Sequence, residues 1–230
     1  MAERILVVDD EPGIRDVLRA YLEQEYFTVR TAADGAAALS EAAGFQPHLV
    51  LLDLMLPELD GLEVCRRLRA DFPTTYVIML TVKAAETDKL VGLGLGADDY
   101  ITKPFSPREV VARVKAVLRR AREQNASPTA LTFPGLSIDP LRRQVLRNDA
   151  PVGLTAREFD LLLFLARHPD QVFTREQLLD HIWGYTFPGG TRTVDVHLGN
   201  LRRKLEDDPG HPRYLQTLRG VGYRFVRDPA

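Results

Sequence analysis

Ile5-Leu6-Val7-Val8-Asp9-Asp10 runs four apolar residues straight into two carboxylates. A continuous apolar run of this length suits a strand buried on both faces, as in a parallel sheet covered by helices. The pattern returns along the chain. Leu49–Leu52 is closed by Asp53, Tyr76–Leu80 by Thr81, and the short Tyr100-Ile101-Thr102 by Lys103, while Thr28-Val29-Arg30-Thr31 adds a strand with no such ending. Helical patterns lie between them. Ile14, Val17, Leu18, Tyr21 and Leu22 recur at the i, i+3, i+4, i+7, i+8 spacing of an amphipathic helix. Asp34 opens an Ala-rich helix, and others are expected from Gly61 to Arg69, around Thr87–Leu95, and from Pro107 to about Arg120. Ser106 caps the last of these, with Pro107 at N1, Glu109 at N3 and Phe105 and Val110 placed as a staple. Five βα units in succession predict an α/β domain: a flavodoxin-like, doubly wound, five-stranded parallel sheet in the order 2-1-3-4-5.

Beyond residue 121 the style changes. Arg122–Ala130 is polar and aperiodic, which divides the chain into a first domain at 1–121, a linker at 122–129 and a second domain at 130–230. Leu131–Leu154 holds short extended pieces broken by Pro134-Gly135 and Asp139-Pro140, the pattern of a small antiparallel sheet. Thr155 with Glu158, and Thr174 with Gln177, mark two helix starts by capping box. A third helix is expected from Arg192 to Leu205, then a hairpin from Tyr214–Leu218 and Tyr223–Val226 around Gly220 and Gly222. Three helices followed by a hairpin predict an α+β winged helix-turn-helix.

Composition narrows the classes. At 230 residues, 45% hydrophobic and 27% charged, the chain is neither collagen-like nor largely disordered. A single cysteine, Cys65, excludes an intramolecular disulfide. No apolar run approaches the roughly 20 residues that span a bilayer, so no membrane partner is expected and a cytoplasmic location is the default. Residues 1–120 carry a net −4 and residues 121–230 a net +2, which suggests different partners for the two halves.

Asp9, Asp10, Asp53, Thr81 and Lys103 all fall at carboxyl ends of strands, where open α/β sheets bind ligands. Any one carboxylate alone reads more readily as a helix cap; five coordinated placements favour a site. Three converging carboxylates need a cation, and an all-oxygen ligand set suits Mg²⁺. Asp53 can attack a phosphoryl group to give an acyl phosphate. Lys103 and the metal would neutralise charge on the equatorial oxygens, and Thr81 could donate its hydroxyl to one of them.

Val7–Glu11, Leu51–Pro57, Leu80-Thr81 and Lys103-Pro104-Phe105 resemble the receiver domain of two-component response regulators over residues 3–120. The resemblance implies phosphorylation of Asp53 by a sensor histidine kinase. It implies Mg²⁺ on Asp10, Asp53 and the Met55 carbonyl, with Asp9 acting through water. Tyr100 matches the family's switch aromatic, and Lys103-Pro104 a position usually cis. Val82 departs from the Ala or Gly usual after the threonine.

In the rear half, Val194, His197, Leu198, Leu201 and Leu205 make one face of a helix, while Arg192, Asn200, Arg203 and Lys204 lie off it and Arg202 sits at the margin. A helix entering a major groove needs one anchored face and one offering cations and amides. Leu154–Phe159, Arg192–His197 and Arg219–Phe225 resemble the OmpR/PhoB winged-helix domain. That resemblance implies Arg192, His197, Asn200, Arg202, Arg203 and Arg219 as contacts to double-stranded promoter DNA. Arg219 would reach a minor groove, and the Asn200 amide could read adenine. It also implies homodimerisation on phosphorylation, with Lys89–Glu109, Asp99–Arg113 and Asp98–Arg120 pairing across a two-fold axis. RNA polymerase is a further candidate partner.

Two rival functions are weighed. An aspartate-nucleophile phosphatase would normally carry a second Asp two positions after Asp53, where this chain has Met55, so a non-enzymatic regulator is expected. A winged domain that binds protein would lack the salt dependence of DNA binding. His48, His168, His181, His197 and His211 are dispersed without zinc-ligand spacing.

Overall fold

The computed structural model describes residues 2–82, 97–125 (backbone only from 120), 129–184 and 190–229. Two compact units emerge, Met1–Leu118 and Arg119–Ala230.

In the first unit, β1 (Arg4–Val8), β2 (Thr28–Ala32), β3 (Leu49–Asp53), β4 (Tyr76–Val82) and β5 (Asp99–Lys103) form one parallel sheet in the order β2-β1-β3-β4-β5. Burial explains the residue choice. All five residues of β3, and every residue of β4 before Val82, are buried, whereas edge strand β2 alternates exposed Thr28 and Arg30 with half-buried Val29 and Thr31. Helices α1 (Pro12–Glu23), α2 (Gly35–Phe45) and α3 (Gly61–Asp71) follow β1, β2 and β3. Asp34 and Asp60 cap α2 and α3, accepting from the N–H of Ala37 at 2.8 Å and of Leu62 at 3.1 Å. On α1 only Leu18 and Leu22 of the apolar stripe are fully buried, and Val17 stays exposed.

Helix α4 (Pro107–Asn125) starts as predicted, with the Glu109 N–H donating to Ser106 Oγ at 3.1 Å. It runs beyond Arg120 and takes in 122–125, the first part of the expected linker. Ala121-Arg122-Glu123-Gln124 are good helix formers with no glycine or proline to stop them. Residues 126–128 lie outside the described residues, as does the expected helix around Thr87–Leu95.

The second unit opens with the antiparallel sheet β6 (Leu131–Phe133), β7 (Leu136–Asp139), β8 (Gln144–Arg147) and β9 (Ala150–Pro151). Helices α5 (Ala156–Arg167), α6 (Arg175–Ile182) and α7 (Arg192–Leu205) follow, then the hairpin β10 (Leu215–Leu218) and β11 (Gly222–Phe225). Both threonine capping boxes form, Thr155 with Glu158 and Thr174 with Gln177. Each such cap contributes about 1 kcal/mol to its helix start. The hairpin is tied back to the helices at Phe173, which exchanges both backbone hydrogen bonds with Tyr223 at 2.9 Å. Gly222 is required there: a Cβ would stand 1.9 Å from the Phe173 carbonyl oxygen.

Candidate functional site

The strand ends bring the acidic residues together. Oxygens of Asp9, Asp10 and Asp53 lie within 4.8 Å of one another. Asp9 and Asp53 are buried and Asp10 is exposed. Lys103 reaches in from β5, and its ammonium donates to Asp9 Oδ2 at 2.9 Å and to Asp53 Oδ2 at 2.8 Å. Burial alone would lower the lysine's pKa; its hydrogen bonds to Asp53 and Asp9 outweigh that and hold it above the ordinary value.

The remaining oxygens separate the carboxylates by role. Asp9 Oδ1 accepts from the Glu11 N–H at 2.9 Å, so both its oxygens are engaged within the chain. Asp53 Oδ1 accepts from the Met55 N–H at 3.2 Å, a turn that leaves Met55 exposed beside the cluster. Gly61 lets the chain double back close behind Asp53, with its N–H donating to the Leu54 carbonyl at 3.1 Å.

Thr81 follows Leu80, the register partner of Asp53 on the neighbouring strand. Its hydroxyl is buried and donates to the Val82 carbonyl at 2.9 Å. Tyr100 is buried on β5, and the Lys103-Pro104 bond is cis. Val82 is half exposed and borders a groove of about 460 Å³ with Ile14, Val17, Pro104 and Phe105, alongside Lys103.

The charges expected to pair two copies sort differently. Asp98 is fully buried at the opposite end of the sheet, where its carboxylate is bonded to the Arg69 guanidinium of α3 and accepts from the Val77 N–H at 2.6 Å. An aspartate satisfied in this way is not available to Arg120 of another copy, which corrects that expectation. Asp99 is buried as well and stands 3.7 Å from Arg113 of its own chain, so that pair forms within one molecule. Glu109 is exposed and 3.3 Å from Arg113. Lys89 lies outside the described residues, as does the side chain of Arg120.

In the second unit, Arg192, Arg203 and Arg219 are exposed, as a nucleic-acid surface needs. His197 is not: it is fully buried, its ring 5.1 Å from Trp183, which removes it from the contact set. Its i+3 spacing from Val194 had already put it on the apolar face. Asn200 is 7% exposed and its Oδ1 accepts from Arg203, so its amide is turned along the helix and does not face out to read a base. The outward line of α7 is Arg192, Val196, Gly199 and Arg203, and nothing lies within 4 Å of where a Gly199 Cβ would be. Arg202 is committed to the hairpin, its Nε and Nη2 donating to the Leu215 carbonyl at 2.9 and 2.7 Å.

Sequence reasoning missed several residues that build this surface. Glu206 is buried and accepts from the N–H groups of Arg213, Tyr214 and Leu215, fixing the strand that enters the hairpin. Lys204 bonds Glu158 of the α5 capping box at 2.6 Å, fastening the end of α7 to the start of α5. Arg157 and Asp160, both fully buried on α5, stand 3.7 Å apart. Lys204 carries no local signal, since its partner lies 46 residues away, and Glu206 meets backbone N–H groups that have no sequence signature. Arg157 and Asp160 are three residues apart on one helix, and it is their burial that the sequence does not show.

Comparison with known proteins gives two matches along the chain: the response regulator receiver domain family at residues 5–115, and the C-terminal domain of transcriptional regulatory proteins at residues 149–225. The alkaline phosphatase synthesis transcriptional regulatory protein SphR of Synechococcus elongatus is 49% identical, covering 97% of this chain and 91% of its own length. Among solved structures, DrrB, an OmpR/PhoB homologue of Thermotoga maritima, is 38% identical over 98% of this chain and all of its own, with a TM-score of 0.53. A RitR variant, 31% identical over the same shares, superposes with a TM-score of 0.83. Among the described residues, no helix is long and apolar enough to cross a membrane.

Proposed function

The chain belongs to the OmpR/PhoB-type response regulators of two-component transcription control, and from that membership we propose how its own residues carry the signal. Asp53 accepts a phosphoryl group from the phosphohistidine of a sensor kinase: the donor's N–P bond breaks and an Asp53 Oδ–P bond forms. The observation that carries this reading is Lys103, bonded at once to Asp53 and Asp9 beside the exposed Asp10. The donor set fits Mg²⁺, being all oxygen, with Asp10 open to solvent and the Met55 turn adjacent. Asp10, Asp53 and the Met55 carbonyl would hold the ion; Asp9, with both oxygens already engaged, would act through water. When bound, the ion draws charge from the transferring phosphoryl oxygens.

Phosphorylation adds roughly −1.5 to −2 of charge beside Lys103. The Thr81 hydroxyl then leaves the Val82 carbonyl for a phosphoryl oxygen, and Tyr100 answers on the next strand. The apolar groove bordered by Val82 and Phe105 supports docking of the kinase next to the acceptor. Phosphorylated chains pair with one another through the receiver surface that includes Glu109. The winged domain binds promoter DNA with Arg192 and Arg203 at the major groove and Arg219 at the minor groove, and so acts on RNA polymerase at its promoters. A winged domain reading DNA makes this chain a regulator of transcription.

Mg²⁺-dependent labelling of wild type and D53N by a radiolabelled phosphodonor, with DNA binding assayed alongside, tests the reading. Wild type should label and gain DNA affinity; labelling that persists in D53N overturns the acceptor assignment.

A further inference from the structure

We propose that Arg202 is a positioning residue of the DNA reader: it pins the wing to the recognition helix, and Tyr223 is the hub through which helix α6 joins the same frame. The proposal rests on the DNA-binding reading above and departs from it at Arg202, which resemblance had assigned to DNA.

Residues Asp195, Leu198 and Arg202 follow one another on α7 at i, i+3, i+7, a stripe distinct from the outward line of Arg192, Gly199 and Arg203. At one end of the stripe, Asp195 Oδ1 accepts from the Tyr223 hydroxyl at 2.6 Å and from Arg175 Nε at 2.8 Å. Arg175 Nη2 also donates to the Tyr223 oxygen at 3.0 Å, closing a triangle between the first residue of α6, the first turn of α7 and β11. At the other end, the Nε/Nη2 edge of Arg202 grips the Leu215 carbonyl, and Nη2 reaches Thr217 Oγ1 at 2.6 Å, both on β10. The guanidinium carbons of Arg175 and Arg202 stand 4.9 and 5.7 Å from the centre of the Tyr223 ring, within the cation–π range of about 6 Å.

The two strands of the wing are therefore held by separate means. Strand β11 is fixed by its backbone bridge to Phe173 and by the Tyr223 hydroxyl. Strand β10 is fixed to α7 by the Arg202 side chain along its length and, at its first residue, by Glu206, which accepts from the Leu215 N–H at 2.9 Å. The turn beyond them, Arg219-Gly220-Val221, is exposed throughout, so the place of Arg219 relative to α7 is decided at the base of the hairpin. Two parallel donors on one carbonyl, with a third contact to a hydroxyl, need a planar fork. A lysine keeps the charge and loses that geometry.

The difference between Arg and Lys supplies the test, made on the full chain with R202K, R202Q, R219A and the R202K/R219A double variant. Amide hydrogen exchange of the free protein is the first measurement. R202K should speed exchange at residues 218–222 by about tenfold or more while α5 amides stay at the wild-type rate. Unchanged exchange across the wing overturns the proposal. Affinity for a duplex selected from a randomised pool by the wild-type chain is the second. R202K and R219A should weaken binding by similar factors, and the double variant should be no weaker than R219A. If instead R202K binds like wild type, while R202Q weakens binding and lowers the salt slope by about one, Arg202 is a phosphate contact and the proposal fails. Should R219A itself bind like wild type, the minor-groove reading falls, and the exchange measurement alone still decides on Arg202.

Discussion

Gly61 stands against the backbone of Asp53: a Cβ at residue 61 would lie 2.3 Å from the Asp53 carbonyl oxygen and 2.7 Å from Leu54 Cα. The start of α3 and the end of β3 thus approach to a distance only glycine permits, and the carboxylate at that strand end depends on the approach. Gly61→Ala should push the loop off Asp53. We expect a loss of stability at or above the roughly 1–3 kcal/mol of an overpacked core, because backbone has no rotamer with which to yield. Phosphorylation should fall with it. Urea unfolding and phosphodonor labelling measure the two, and a variant that labels and unfolds like wild type would show that the loop relaxes freely.

Removing the lysine isolates its partners. Lys103→Met leaves Asp9 and Asp53 buried without their shared cation. The cost should fall below the roughly 3–5 kcal/mol of breaking a fully buried pair, since the Lys103 side chain keeps 15% of its exposure. Millimolar Mg²⁺ should restore more stability to the variant than to wild type, because ion binding to the folded state alone stabilises it. Thermal melts with and without Mg²⁺ check this; equal shifts in the two proteins would separate the ion from these carboxylates.

Burial pushes the Cys65 thiol up to about 11 from an ordinary 9.0. The fold therefore favours the neutral thiol. Its contribution is whole below the unfolded pKa and disappears as pH rises from about 9 to about 11. The stability difference between wild type and Cys65→Ala should narrow across that window. At pH 8, iodoacetamide should leave folded Cys65 unmodified over a time in which the urea-unfolded chain reacts fully. Rapid labelling of the folded chain would contradict the burial.

Local signals in the sequence were strong wherever a residue's role depends on neighbours along the chain. Thr155, Thr174, Asp34 and Ser106 announce helix starts through contacts three residues away, and each cap forms. Apolar runs ending in Asp9, Asp53, Thr81 and Lys103 revealed the sheet edge, because strand direction alone carries those ends to one side. Roles set by distant partners were illegible. Asp98 looks like any acidic residue before a strand, and only the fold brings Arg69, 29 residues away, against it. At His197 two signals conflicted: helical spacing put it among Val194 and Leu201, motif likeness put it on DNA, and spacing prevailed. Arg202 had no local signal for its partners, since a carbonyl on β10 has no sequence signature.

The four side chains at the head of the sheet also fix an ionic valence. Asp9, Asp10 and Asp53 bring three formal negative charges and Lys103 cancels one, leaving two elementary charges uncompensated. Sodium or potassium would leave one charge standing among largely buried oxygens, where low permittivity makes it costly. A doubly charged ion brings the sum to zero. With a cation bound as proposed, discrimination among the cell's abundant cations would depend on a lysine from the edge strand.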